Sequence, residues 1–192
     1  MEQIIQLDKE LFLYLNNLGQ TQWDVFWIVL SERTTWIPLY IALLLLLYMK
    51  LGWRKTALIL VLSLLMVLFT DQITNLFKSG FQRYRPCHTP EFDDIMRRVD
   101  CVGRGRFGFT SAHASNHFGL ALFLGLILRS YFKWMLGALL IWAAFIAYSR
   151  VYLGVHFPLD VFCGGILGLV LARLNYALYQ RILKKYPGKF KG

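Results

Sequence analysis

Five long apolar runs decide what this chain can fold into: residues 34–49, 56–77, about 113–128, 134–149 and about 157–180. A bilayer crossing takes about 20 mostly apolar residues, fewer where side chains at its ends snorkel to the interface. Arg33 and Lys50 flank the first run, and Asp71 alone interrupts the second. Residues 79–112 form the one long connection, rich in Arg, Asp, Gly and Pro and too polar to cross. The expected fold is an all-α, polytopic transmembrane helical bundle, one domain over residues 1–192. It has five clear spans plus an N-terminal helix that lies in the interface or completes a sixth crossing. Ile4, Leu7, Leu11, Leu15 and Leu18 recur at helical spacing with Asp8, Lys9, Glu10 and Asn16 elsewhere on the wheel, which suits an interfacial helix.

Composition agrees. Apolar residues make up 57% and charged residues 17%, against roughly 45–50% and about 25% in soluble domains. That excludes a disordered chain and argues against a soluble enzyme. The net charge of +10 fits contact with anionic lipid headgroups; nucleic acid is not an expected partner, because the basic residues sit at the ends of apolar runs. Asp8, Lys9 and Glu10 interrupt any secretory signal peptide, so insertion is expected to rely on the internal spans. In the last run, Gly164 and Gly168 form a small-xxx-small pair, read as close helix packing within the chain.

If the spans alternate, the end of the second, the long connection, the start of the third and the junction of the fourth and fifth share one membrane face. The opposite face receives Lys50, Arg54, Lys55, Arg129, Lys133, Arg181, Lys184, Lys185, Lys189 and Lys191. Nearly all the lysines lie there. The positive-inside rule then places the C-terminal tail in the cytoplasm and the polar face outside.

Three polar clusters reach that face. The first, from Lys78 to Arg85-Pro86, offers a point charge and a planar fork for phosphate oxygens. In the second, Ser111 is a helix N-cap whose neighbouring amides suit an anion, and His113 titrates in the range of a useful acid. His117 follows at i+4, but no third metal ligand is evident, so it reads as a packed helix histidine. The third cluster runs Ser149-Arg150 to His156 and Asp160. Asp160 reaches back one turn to the imidazole, fixing its tautomer and raising the basicity of the far nitrogen. Two histidines, three cations and one carboxylate suit phosphoryl transfer without a metal or other cofactor.

These clusters resemble the three signature motifs of the type 2 phosphatidic acid phosphatase (PAP2) superfamily, K-x6-R-P, P-S-G-H and S-R-x5-H-x3-D. The first and third match completely, at Lys78, Arg85 and Pro86 and at Ser149, Arg150, His156 and Asp160. Chance produces four such fixed positions in roughly one chain of this length in a thousand. The second departs: Thr110 stands for Pro and Ala112 for Gly, while Ser111 and His113 are kept. The resemblance implies a helical membrane bundle in which His156 forms a phosphohistidine with Asp160 as its partner. It implies that His113 is the general acid and that Lys78, Arg85, Ser111 and Arg150 bind phosphate. The implied activity is a metal-independent lipid phosphatase of a bacterial inner membrane.

The substrate is then a phosphorylated membrane lipid: phosphatidate, phosphatidylglycerol phosphate, undecaprenyl diphosphate or a lipid A phosphate. The alternatives are a lipid phosphotransferase using the same histidine and a non-catalytic lipid-binding or transport protein. Arg97, Arg98, Arg104 and Arg106 in the long connection either read the headgroup or are simply solvated. With that connection outside the cytoplasm, Cys87 and Cys101 are free to form a disulfide, while Cys163 is a packing residue.

Overall fold

The computed structural model describes residues 2–190, so Lys191 lies outside the described residues. Six α-helices occur among the described residues: α1 Glu2–Asn17, α2 Asp24–Ser31, α3 Ile37–Phe81, α4 Ala112–Leu128, α5 Met135–Tyr152 and α6 Pro158–Lys185. No strand occurs among the described residues; a single bridge pairs Tyr84 with Phe107. Thr34–Phe81, Met135–Tyr152 and Pro158–Lys185 are long and apolar enough to cross a membrane. Leu45, Leu64, Leu68, Ile141, Phe162 and Leu174 point outward from them, as lipid-facing residues do.

The first two apolar runs are two helices joined at Gly52, whose φ of 76° and ψ of 169° break the helical path. Only glycine adopts that backbone readily, and a Cβ there would meet nothing, so conformation and not space is what requires it. The second arm runs on to Phe81, three residues into the stretch read as loop, and ends on Gln82 in the left-handed conformation. At the far end of the bundle Tyr131 Oη donates to the Lys50 carbonyl and Arg54 Nη1 to that of Lys189. The lysine-rich segments therefore do gather at one end.

Helix α4 is the centre. Buried residues occupy nearly every position of its C-terminal half, from Ala121 and Phe123 to Leu128, because α3, α5 and α6 surround it. A helix apolar on all sides belongs in a core. Helix α6 presses on α4 through the glycine pair: a Cβ on Gly168 would lie 2.1 Å from the Ser115 carbonyl oxygen, and one on Gly164 2.4 Å from that of Ser111. Gly168→Ala should force the helices apart at an overpacking cost of about 1–3 kcal/mol. Thermal unfolding of the detergent-solubilised protein should then fall by roughly 2–10 °C; an unchanged midpoint would show that the contact is soft.

Helix α1 is amphipathic as its pattern predicts, but two of its polar residues turn into the protein, not to solvent. Ile4, Leu7, Leu11 and Leu18 face outward, while Asp8, Phe12 and Asn16 are buried. Asn16 Nδ2 donates to the Tyr152 carbonyl at 2.9 Å and its Oδ1 accepts the Arg97 amide at 2.8 Å, so it satisfies the end of α5. Phe12 stacks on Phe92 and meets the edge of Phe157. Asp8 at the middle of α1 and Asn16 near its end both bond to the polar end of the bundle.

The long connection is no solvated loop. Cys87, Phe92 and Met96 are buried with Phe12, Val151 and Phe157. Its charges are paired: Arg98 with Asp93 and Arg104 with Asp100 inside the connection, Arg97 with Asp24 and Glu91 with Lys9 across the chain. Residues 82–111 thus cap the polar end and hold what lies beneath.

Candidate active site

The three clusters, up to 82 residues apart in sequence, meet under that cap. After α5 the chain turns at Gly154, whose φ of 79° suits glycine, and the Val155 and His156 amides both fold back onto the Arg150 carbonyl, at 3.1 and 3.2 Å. This hook points the His156 ring inward, 3% exposed. Arg85 Nη1 donates to its Nε2 at 2.8 Å and to the Val155 carbonyl at 2.9 Å, while Arg85 Nε donates to the Gly105 carbonyl at 2.7 Å. Guanidinium only donates, so Nε2 carries the lone pair and the ring proton resides on Nδ1. Nδ1 faces Asp160 Oδ2 at 3.5 Å.

Asp160 is fully buried and held from two sides. Its Oδ2 accepts the Phe157 amide at 3.0 Å, the side-chain cap of α6, and its Oδ1 accepts Arg83 Nη1 at 2.8 Å. Pro158 at the first helical position fixes where that turn begins. Burial, then the Arg85, Arg150 and Lys78 charges, hold the His156 pKa well below its ordinary value. The imidazole therefore stays neutral.

The remaining expected residues surround this pair. Ser111 caps α4, its Oγ accepting the Ala114 amide at 3.4 Å, and its own amide donates to the Asp160 carbonyl at 2.9 Å, tying the second cluster to the third. His113 follows in the first turn of α4, part-exposed, with the Arg150 charge and the His156 ring nearby. Lys78 lies a turn from the end of α3 with Nζ 3.5 Å from Asn75 Oδ1. Arg150, 2% exposed, is bonded through Nη1 to Ser31 of α2. His117 Nδ1 contacts the His113 carbonyl at 2.7 Å and its ring packs on Trp142, as a structural helix histidine does.

Four residues escaped the sequence reading. Ser31 fixes Arg150. Arg83 holds Asp160. Gly108 lets the cap approach, since a Cβ there would lie 3.0 Å from Arg85 and 3.2 Å from Asp160. Arg33, read as a span flank, stands among the charged neighbours of Lys78, His113 and Arg150 because α2 stops short at Ser31. Only Arg83 carried a signal, as an extra Arg inside the first cluster.

The sequence model of the PAP2 superfamily matches residues 56–184, which include all three clusters. The chain belongs to the PAP2 superfamily. It is 35% identical over 190 residues to the lipid A 4'-phosphatase of Porphyromonas gingivalis, covering 98% of this chain and 79% of that protein. It is 33% identical over 201 residues to the lipid A 4'-phosphatase of Bacteroides thetaiotaomicron, covering 100% and 88%. The fold matches the crystal structure of a transmembrane PAP2-type phosphatidylglycerolphosphate phosphatase from Bacillus subtilis with a TM-score of 0.74, at 20% identity over 95% of this chain and 89% of that one. The chain is thus an integral membrane protein and a PAP2-type lipid phosphatase.

Proposed function

We propose that this phosphatase removes a phosphate monoester from the sugar headgroup of a lipid A-type glycolipid through a phosphohistidine on His156. The mechanism rests above all on the Arg85–His156–Asp160 alignment, which sets a basic nitrogen, buried here against Arg85, beside the guanidinium that would hold the phosphate. The headgroup rests on the two lipid A 4'-phosphatases that align with nearly the whole chain.

In the first step His156 Nε2 attacks phosphorus and the bond to the sugar oxygen breaks. His113 gives its proton to the departing alkoxide. Lys78, Arg85 and Arg150, with the amides beside Ser111, carry the charge on the equatorial oxygens. The phosphorylated ring keeps its Nδ1 proton and is cationic, so Asp160 stabilises it. Water then attacks phosphorus, His113 takes the water proton, the P–N bond breaks, and inorganic phosphate leaves with His156 neutral again.

Phosphate release by detergent-purified protein in EDTA tests this reading, across lipid A, phosphatidate, phosphatidylglycerol phosphate and undecaprenyl diphosphate. Lipid A should have the highest kcat/KM. A higher value for the diphosphate would overturn the headgroup assignment, and loss of all activity in EDTA would overturn the mechanism.

The polar end faces away from the cytoplasm in an inner membrane, with the lysine-rich end inside; the lysine distribution supports this. There Cys87 and Cys101, free thiols in this structure, give two electrons and two protons to a thiol oxidant of that compartment and form a disulfide. Both pack in one cluster beneath the cap, where the neighbouring Cys101 thiol holds the Cys87 pKa below its ordinary value. A thiolate beside a thiol is readily oxidised, and closing this loop is worth about 3 kcal/mol in the chain-entropy model. Denatured protein should titrate one thiol before reduction and three after. Three thiols before reduction would overturn the pairing.

A further inference from the structure

Asp160 has a tether that none of the three motifs contains. Arg83 bonds it through Nη1 at 2.8 Å, and the other terminal nitrogen, Nη2, donates to Asp8 Oδ2 at 2.5 Å. Asp8 Oδ1 accepts the Leu159 amide at 2.8 Å, one residue before Asp160. The ring is closed: α1 to Arg83, Arg83 to Asp160, and the first turn of α6 back to α1. Arg83 lies over Phe157, 4.2 Å from the ring centre, and the side chains of Asp8 and Asp160 are only 6% and 0% exposed. Asp8 offsets the Arg83 charge, so the guanidinium holds Asp160 in place without cancelling the carboxylate that His156 Nδ1 faces. Without Asp8, one face of a part-buried cation is unpaired, and Arg83 would draw Asp160 away from the imidazole.

We infer that Asp8 and Arg83 are positioning residues for phosphoryl transfer, and that the N-terminal helix is the clamp that aims the His156–Asp160 pair. Neither residue touches the substrate. The 3.5 Å gap between Nδ1 and Asp160 has to close as the ring gains charge, and it closes only if the carboxylate cannot follow another partner. This inference rests on His156 being the nucleophile.

Orthovanadate distinguishes aiming from mere folding. It adopts the five-coordinate geometry of the transition state with a nitrogen in line, and its Ki, like KM, does not depend on how much of the sample is folded. Asp8→Asn and Arg83→Gln should raise the vanadate Ki and lower kcat about 10- to 100-fold, the range seen when a partner that orients a ligating histidine is lost. KM for the lipid phosphate should stay within about twofold, because the phosphate donors are untouched. The double variant should be no worse than Arg83→Gln alone, and Asp8→Glu should recover part of the loss. Lys9→Ala, beside Asp8 but paired with Glu91 at the surface, should match wild type. A wild-type vanadate Ki in Asp8→Asn and Arg83→Gln, with only the unfolding midpoint lowered, would make α1 a structural clasp and overturn the inference. A wild-type enzyme insensitive to vanadate, or a His156→Ala variant that still turns over, would overturn the nucleophile reading and this inference with it.

Discussion

His156→Ala is expected to abolish phosphate release, by about 10⁴-fold or more, and to leave no phosphorylated enzyme when labelled substrate is added. The size follows from what the remaining groups can do. Lys78, Arg85, Arg150 and the α4 amides still bind phosphate in the variant, but nothing in line can attack it, and a water in the vacated space lacks the imidazole's basicity. The substitution is a clean probe because His156 anchors the backbone through its amide on the Arg150 carbonyl, which alanine keeps. Wild-type protein quenched in base after a brief reaction should carry one acid-labile phosphate; His156→Ala should carry none. Activity within tenfold of wild type, or a label that survives the mutation, would sink the nucleophile assignment.

Asp160→Asn is the second large effect. Asparagine is nearly isosteric and can still cap α6 by accepting the Phe157 amide, so the helix start should survive. What it cannot supply is charge. With its oxygen kept on the Phe157 amide and the His156 Nδ1 side, its amide nitrogen faces Arg83, and both are donors. The Arg83 tether is lost, and the cationic phosphohistidine loses its counter-charge. A fall in kcat of about 10³–10⁴-fold is expected, the scale seen when a buried aspartate that orients a catalytic histidine is neutralised. KM should change little. The same substitution leaves Arg83 with Asp8 alone, so the unfolding midpoint should also drop. A kcat loss below tenfold with a lowered midpoint would mean that Asp160 acts as a helix cap and not in the chemistry.

Much of this was legible in the chain because the relevant forces are local. Apolar runs mark helices, and the serine at position 111 caps α4 as its place before the run implies. The spacing of four between His156 and Asp160 brings them together across one turn. The Gly164 and Gly168 pair was also readable as helix packing, though not which helix it would meet. Other features were not readable. The break at Gly52 looks like an ordinary charged link until its backbone is seen, and residues 82–111 look solvated because their many charges are paired with partners far along the chain. Helix α1 shows the difference most plainly. Its leucine stripe announces an interface, yet no periodicity says whether the opposite face meets water or protein.

The sequence alone therefore determined the helical membrane architecture and the family and named the candidate reacting groups, since hydropathy, capping and fixed spacing act within a few residues. Only the tertiary structure decided that Ser31, Arg83 and Asp8 stand behind Arg150 and Asp160, and that the long connection closes over the site. Those contacts join segments 75 to 119 residues apart, and a buried charge finds its partner through the packing of whole helices, which no local pattern encodes.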